Sequence, residues 1–519
     1  MIPCMNSPDT PDDMDACYLA LKAHDARFDG RFFTGVTSTG IYCRPVCRVR
    51  TPKRENCRFF NLAAQAEHAG FRPCLRCRPE LAPRQLMPGM STGKAWSMQD
   101  ASAILATQAA ALMDAPAPSG LPAMTVQRLA LRLGISDRHL RRIFEAQMGV
   151  SPLQYLQTRR LLSAKQLLTD TSLAVAQVAE LSGFASVRRF NTAFVTHYGL
   201  NPTQLRHTPE SQHTPASKEG IHVRLSYRPP YDVAAMLHFL ATRQITGLEV
   251  MDPINASLGK TMALHNGQHL ATGWVQARWD EARCRVNLQV SDALAEVLPQ
   301  VIARVRALLD LDADPQAINQ VLHNHFPQGD GLRLPGTLDG FELAVRAVLG
   351  QQITVAAART LAERLVTHFG EPIVTPLAGL SRLFPTPQAL VAASADALGA
   401  LGIVKQRQAA IQALARAVTS GELCLDTVAD VPSTMAQLQT LPGIGDWTAN
   451  YIAMRALHWP DAFPSGDVAL HKALGVRNTP LPAKAALTAS HAWQPWRSYA
   501  VIRAWATLPR HTKPDKSTQ

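Results

Sequence analysis

The spacing of apolar residues changes along the chain, and each change marks a new kind of unit. From Leu129, the segment LALRLGISDRHLRRIFEAQMGVSP keeps helical spacing on both sides of a Gly-centred turn and stops on Gly and Pro. From Val178, VAELSGFASVRRFNTAFVTHYGLNP repeats that punctuation about fifty residues later. Helix, tight turn and second helix is the helix-turn-helix pattern, so two such units are predicted. Leu140, Ile143, Phe144, Phe190 and Phe194 fall on the faces predicted to be core. An Ala-rich helix is predicted around Met98 to Met113, and the polar stretches LAPRQLMPGMSTGKAW, DAPAPSGLP and HTPESQHTPASKEG read as linkers. The period then shortens. IHVRLSYRPPYD predicts a strand and turn, VAAMLHFLATRQ an amphipathic helix, and WVQARW and CRVNLQV alternate as strands. From Arg333 onward the pattern is almost entirely helical.

Within that helical half, LPGIGDWTANYIAMRALHWPDAFPSGD, Leu441 to Asp467, carries the most chemistry. Gly443 and Gly445 let the backbone turn tightly and approach another chain closely. Leu441 and Ile444 can anchor the turn, leaving amide N–H groups outward at a helix start, which binds phosphate without Lys or Arg. Trp447, Tyr451 and Met454 follow at i, i+4 and i+7, on one helical face. Asp467 ends the segment after a loop containing Pro460 and Pro464.

Composition sets the frame around these motifs. A length of 519 residues predicts three or four domains, and 46% hydrophobic content suffices for folded cores. No apolar run is long enough to span a membrane, and the acidic N-terminus lacks the basic and apolar regions of a signal peptide, so a cytoplasmic location is expected. The net charge of +12 is uneven. Cys43–Arg78 holds nine Lys and Arg against Glu55 and Glu67, and Val126–Arg206 holds eleven against four acids, so each carries +7. Two basic footprints on one chain point to nucleic acid as partner. The remainder, at −2, must reach DNA through amides and shape.

Nine cysteines with tight pairs among them fit a metal site better than a disulfide framework. Cys43-x3-Cys47 and Cys74-x2-Cys77, twenty-six residues apart, have the spacing of a tetrahedral Cys4 zinc site. In a unit this small, Zn2+ would also supply folding free energy. His222, His238, His265 and His269 share no ligand spacing and read as structural.

These motifs together resemble known families over almost the whole chain. DGRFFTGVTSTGIYCRPVCRVRTPKRENCRFF with AGFRPCLRCRP resembles the zinc domain of Ada-type DNA-methylation sensors. That resemblance implies that Cys43 is both a ligand and the acceptor of methyl groups from DNA phosphotriesters, and that Arg50 contacts phosphate. Cys57 has no counterpart, and Cys4 and Cys17 fall outside the pattern. The repeated helix-turn-helix is similar to the AraC-type DNA-binding domain. Ser136, Arg138, His139, Arg141 and Arg142 lie on its first recognition helix, and Ser186, Arg188, Arg189 and Asn191 on its second. Arg138, Arg141, Arg188 and Arg189 are the DNA-contact candidates, with base and phosphate contacts not separable.

The Leu441–Asp467 segment resembles the helix-hairpin-helix and Gly/Pro-Asp motif of base-excision glycosylases, closest to the AlkA type. That resemblance implies that Gly443 and Gly445 face DNA, that Asp467 is catalytic, and that Trp447, Tyr451 and Trp505 surround a flipped base. RLPGTLDGFELAVRAVLGQQITVAAARTLAERL matches the family's opening helices and implies that Gln352 or Ile353 fills the gap left by that base. The expected architecture is multidomain and mainly α. It comprises a Cys4 zinc α/β domain (1–82), an AraC-type helix-turn-helix pair (97–208), a small α/β domain (221–328) and an all-α helix-hairpin-helix glycosylase domain (329–510).

The chemistry supports the same reading. Breaking an N-glycosidic bond makes the sugar oxocarbenium-like, and a nearby carboxylate stabilises that charge or activates water. Bases alkylated on a purine ring nitrogen are already cationic, and aromatic faces attract them by about 0.5–2 kcal/mol each. Glycosylases that also cut the strand resemble this segment but carry Lys where Trp447 stands, to form a Schiff base. The last cysteine is Cys424, so no iron–sulfur loop follows Asp467. A monofunctional glycosylase of the 3-methyladenine class, joined to a regulator of the alkylation response, is expected. Its partners would be damaged DNA, promoter DNA and RNA polymerase. No Pro-Cys-His-Arg sequence occurs, so repair of O6-methylguanine is not expected. Two alternatives differ in kind: a transcription activator whose glycosylase half is an inactive DNA clamp, and a repair enzyme whose first two modules only raise DNA affinity.

Overall fold

The computed structural model describes residues 11–84, 98–116, 124–206, 220–266, 269–427 and 429–509. Most of each linker stretch lies outside them, as does Cys4. The first module is a four-stranded sheet in the order Cys57–Phe60, Phe33–Val36, Ile41–Cys43, Arg72–Pro73. Its last two strands run parallel, with Tyr42 opposite Pro73 and the Cys74 amide donating to the Tyr42 carbonyl (2.9 Å). That single pairing places Cys43 beside Cys74 across thirty intervening residues and the helix Ala63–His68.

The second module is helical throughout, and both predicted helix-turn-helix units form. They are Val126–Arg132 with Asp137–Met148, and Val175–Leu181 with Val187–Tyr198. The long helix Pro152–Asp170 lies between them, and the Ala-rich helix Met98–Asp114 packs on the first unit. Leu140, Ile143, Phe144, Phe190 and Phe194 are all buried. Ser136 and Ser186 stand at the starts of the two predicted recognition helices. Each is an N-cap, its hydroxyl accepting from the His139 amide (3.2 Å) or the Arg189 amide (3.3 Å). Ser186→Ala is expected to loosen that helix start by about 1 kcal/mol, speeding hydrogen exchange at the Arg189 amide. An unchanged exchange rate would show that the cap contributes nothing.

Next comes a five-stranded antiparallel sheet with Ile221–Ser226 at one edge and Glu249–Asp252 at the other. The long hairpin Ser257–Asn266 and His269–Asp280, with Arg285–Val290, fills the middle. Helices Val233–Ala241, Leu298–Leu308 and Pro315–Leu322 belong to this unit. The rest is helical from Gly340 to Ala506 apart from loops and two isolated bridges. A buried charge network ties sheet to helices. Lys260 Nζ lies 2.5 Å from Glu249 and 2.6 Å from Glu342, and Arg346 reaches both carboxylates. Burial opposes ionisation of Glu249, but Arg346 and Lys260 outweigh it and bring its pKa down to about 2.

The modules are not beads on a string. One continuous apolar core runs from Leu161, Phe190 and Phe194 of the second helix-turn-helix unit into Ile221, Val223, Leu288 and Val290 of the sheet.

Candidate active site and metal centre

The hairpin turn between Val431–Thr440 and Asp446–Arg455 is shaped by two glycines with different duties. Gly443 has φ +75°, the left-handed region where a side chain is strained, and a Cβ there would sit 3.1 Å from Ala410 Cβ. A Cβ on Gly445 would meet nothing within 4 Å, so that face is open to an approaching chain. Ile444 is buried beneath the turn with Leu441 packed beside it, which leaves the first amides of the Asp446–Arg455 helix free of side-chain caps.

Asp467 caps the short helix Val468–Ala473 and is gripped by three N–H donors. Its Oδ1 accepts from the Leu470 amide (2.6 Å) and Trp505 Nε1 (3.1 Å), and its Oδ2 accepts from Trp447 Nε1 (2.9 Å). The two indoles come from helices Asp446–Arg455 and Arg497–Ala506, so the carboxylate joins elements 20 and 38 residues away. Trp447 stacks on Tyr451 with ring centres 5.3 Å apart and planes 13° from parallel, and Tyr451 faces Trp505 at 6.4 Å. Trp447, Tyr451, Trp505 and Asp467 are all partly exposed. A half-open aromatic wall around one carboxylate results. Met454, from the same predicted face, is buried core instead.

Sequence reasoning passed over the residues that hold this wall. Arg455, four residues after Tyr451, donates to its hydroxyl oxygen (2.8 Å) and also binds the Pro335 and Gly336 carbonyls. Burial resists ionisation of Tyr451, yet Arg455 and Arg243 prevail and hold its pKa below the usual tyrosine value. Asn450 donates to Asp446 and accepts from the Phe463 amide (3.2 Å), which pins the loop leading to Asp467. A polar residue in the apolar run TANYIAM was the available signal. Gln351 donates to the Gly443 carbonyl (2.8 Å) and Thr448 Oγ1 (2.9 Å), clamping the Gln-Gln loop to the hairpin. At the tip of that loop, Gln352 is exposed with φ +55°, while Ile353 is partly buried.

In the first module, the sulfurs of Cys43, Cys47, Cys74 and Cys77 all lie within 4.8 Å of one another, the sole such cluster among the described residues. Sulfurs about 2.3 Å from one Zn2+ would be about 3.8 Å apart in a tetrahedron, a separation within the 4.8 Å bound on these four thiols. Among the described residues, His222, His238, His265 and His269 are not part of that cluster. Cys17 and Cys57 stand apart. Burial, helped by Asp13, pushes the Cys17 thiol up to about 12, and burial likewise raises that of Cys57. A cavity of about 10 Å³ touches Cys43 and Cys47 and is walled by His24, Thr34 and Thr51.

The basic candidates are exposed. Arg50 lies in an irregular segment after Cys47. Arg138 and Arg141 project from Asp137–Met148, where Arg141 pairs with Asp137 (2.9 Å). Arg188 and Arg189 line an open groove of about 590 Å³ with Gln157, Thr192 and Thr196.

Four family profiles match the chain in succession. They are the metal binding domain of Ada at 16–80, a helix-turn-helix domain at 129–208, the AlkA N-terminal domain at 222–339 and the HhH-GPD superfamily base excision DNA repair protein at 345–497. A Mycobacterium tuberculosis protein named probable bifunctional transcriptional activator/DNA repair enzyme AlkA is 36% identical over 505 residues, 96% of this chain and 97% of that one. The chain belongs to that family. The Escherichia coli DNA-3-methyladenine glycosylase 2 is 37% identical over 283 residues, 54% of this chain and 96% of its own. The Bacillus subtilis bifunctional transcriptional activator/DNA repair enzyme AdaA is 31% identical over 200 residues, 38% of this chain and 86% of its own. The Cys4 cluster accords with Zn2+ as the resident metal. No helix among the described residues is long and apolar enough to cross a membrane.

Proposed function

We propose that this protein is a cytoplasmic DNA glycosylase that hydrolyses the N-glycosidic bond of alkylated purines, fused to a methylation-sensing activator of the alkylation response. The observation that carries the reading is Asp467, held at both oxygens by two indole N–H groups inside an aromatic wall beside an uncapped hairpin. The hairpin amides take the backbone phosphate, and Gln352, left-handed and exposed, fills the space of the flipped nucleotide. The cationic base packs on the rings of Trp447, Tyr451 and Trp505. As the C1′–N bond breaks, its electron pair goes to the base, which leaves neutral. Asp467 faces the positive charge developing on the sugar, and water adds at C1′ and passes its proton to the Asp467 carboxylate, which releases it to solvent. Arg455 and Asn450 act through Tyr451 and the loop before Asp467, as positioning residues.

In the regulatory half, Cys43 is the methyl acceptor and a metal ligand with Cys47, Cys74 and Cys77. Zn2+, when bound, keeps these sulfurs as thiolates. Arg50 contacts phosphate, Arg138, Arg141, Arg188 and Arg189 contact promoter DNA, and RNA polymerase is the downstream partner. Base release from methylated DNA by the purified chain tests the enzyme reading, and no release at all would leave only the DNA clamp.

The reaction type has its own test. Trp447 cannot form a Schiff base, so borohydride is expected to trap no protein–DNA adduct, and the products should be intact abasic strands. A trapped adduct would mean that another amine does lyase chemistry, with Lys472, five residues after Asp467, first to be examined.

A further inference from the structure

Both zinc knuckles are wired into the neighbouring modules. Arg44, between the ligands Cys43 and Cys47, is buried, and its guanidinium makes contacts in three directions. It forms a two-pronged pair with Asp29 (2.8 Å at Nε), donates to the Cys77 carbonyl (3.0 Å), and donates to Ser226 Oγ on the edge strand of the glycosylase half (3.1 Å). From that strand's end, Arg228 reaches back. It is 1% exposed, and its five acceptors are all main-chain carbonyls: Asp29, Pro83, Arg84, Asp312 and Ala313. Arg31 closes the same seam on Asp314 at 2.5 Å, and the Arg84 amide donates to Asp312 (2.6 Å).

The second knuckle faces the other way. Lys165 of the Pro152–Asp170 helix donates to the Cys74 carbonyl (3.1 Å) and to Glu80 (2.6 Å), and Arg78 pairs with Asp170 (2.6 Å). A buried charge is tolerated only while its partners stay in place, and removing one leaves the other uncompensated. Arg44 keeps its partners only if the Cys43–Cys47 and Cys74–Cys77 loops hold their mutual position. Fixing those loops is what a metal at four sulfurs does.

We propose that the Cys4 site is the structural joint of the whole chain, so that metal loading orders the glycosylase edge strand and the Pro152–Asp170 helix as well as the sensor. Arg44, Ser226 and Arg228 transmit this order on one side, and Arg78 and Lys165 on the other. Such coupling is reciprocal, so contacts made by the glycosylase half also retain the metal. The inference rests on the Cys4 metal centre and not on base excision, so its tests read structure and metal retention.

Hydrogen exchange of the full chain, zinc-loaded and then stripped by a chelator under reducing conditions, gives the first readout. Faster exchange is expected at 158–170 and 221–228 as well as within 26–84, with helices 446–455 and 497–506 unchanged. Deprotection that stops at residue 84 would overturn the proposal. A second measurement avoids the stripped state, in case it aggregates. The zinc-loaded double variant Arg31→Ala, Ser226→Ala leaves every cysteine in place, and should give up zinc to a chromophoric chelator about fivefold faster or more than the parent chain. An unchanged release rate would overturn the joint equally.

Discussion

Asp467→Asn is expected to abolish base release while leaving binding to damaged DNA nearly intact. The carboxylate offers two acceptor oxygens to three N–H groups: Leu470, Trp505 and Trp447. An asparagine has one acceptor and one NH2, so it must point a donor at Trp447 Nε1 or at the Leu470 and Trp505 pair. The helix start survives, because Asn caps as well as Asp. The volume is almost unchanged, and so are the stacked rings that receive the base. What disappears is the negative charge beside the sugar carbon. Charge stabilisation by one positioned group is worth on the order of 10²–10³ in rate. Single-turnover release from methylated DNA, beside a binding titration with the same duplex, separates the two effects. Retention of more than about a tenth of the rate, a loss below ~1.4 kcal/mol, would remove Asp467 from the catalytic role.

The parts of this site differ in how far the sequence could announce them. The Cys4 cluster was legible because ligand spacing is a local property, and the two knuckles needed only one parallel strand pairing to meet. The hairpin was legible for the same reason, since a turn between two helices is written in consecutive residues. The pairing of Asp467 with Trp447 and Trp505 was not a matter of spacing. It depends on how three helices pack, and family resemblance supplied it. Arg455 and Gln351 escaped notice because their partners, the Tyr451 hydroxyl and the Gly443 carbonyl, acquire meaning only once the helices are placed.

The seam between modules was invisible for a deeper reason. Arg44 and Ser226 are 182 positions apart, and Arg31 and Asp314 are 283 apart. Nothing periodic marks such residues, and polar linker composition suggests independent units. Ser136 and Ser186 show the converse: an N-cap is a local device, written in the residue that precedes its own helix, and both serines fill that place.

Methylation of Cys43 is expected to convert this chain into a tight promoter binder. The step balances simply: the Cys43 sulfur attacks the methyl carbon, the C–O bond breaks, and the DNA departs as an anionic phosphodiester. The sulfur becomes a thioether. Four thiolates around Zn2+ carry a net −2 beside DNA phosphates, and the thioether reduces this to −1. One unit less repulsion at ~4 Å is about 1 kcal/mol in water and about 4 kcal/mol at an effective dielectric near 20. That spans roughly fivefold to several-hundredfold in affinity, before screening over a Debye length of about 10 Å at 0.1 M salt reduces it. Cys43 and Cys47 both border the same small cavity, so the identity of the acceptor is a separate question from the size of the switch. The full chain, methylated by incubation with phosphotriester-containing DNA, should be titrated against promoter and unrelated duplexes at two salt concentrations. Promoter affinity should rise on methylation, and the gain should shrink at higher salt. Equal affinities of the two forms, or a methyl group located by mass spectrometry on Cys47, Cys74 or Cys77, would overturn the switch.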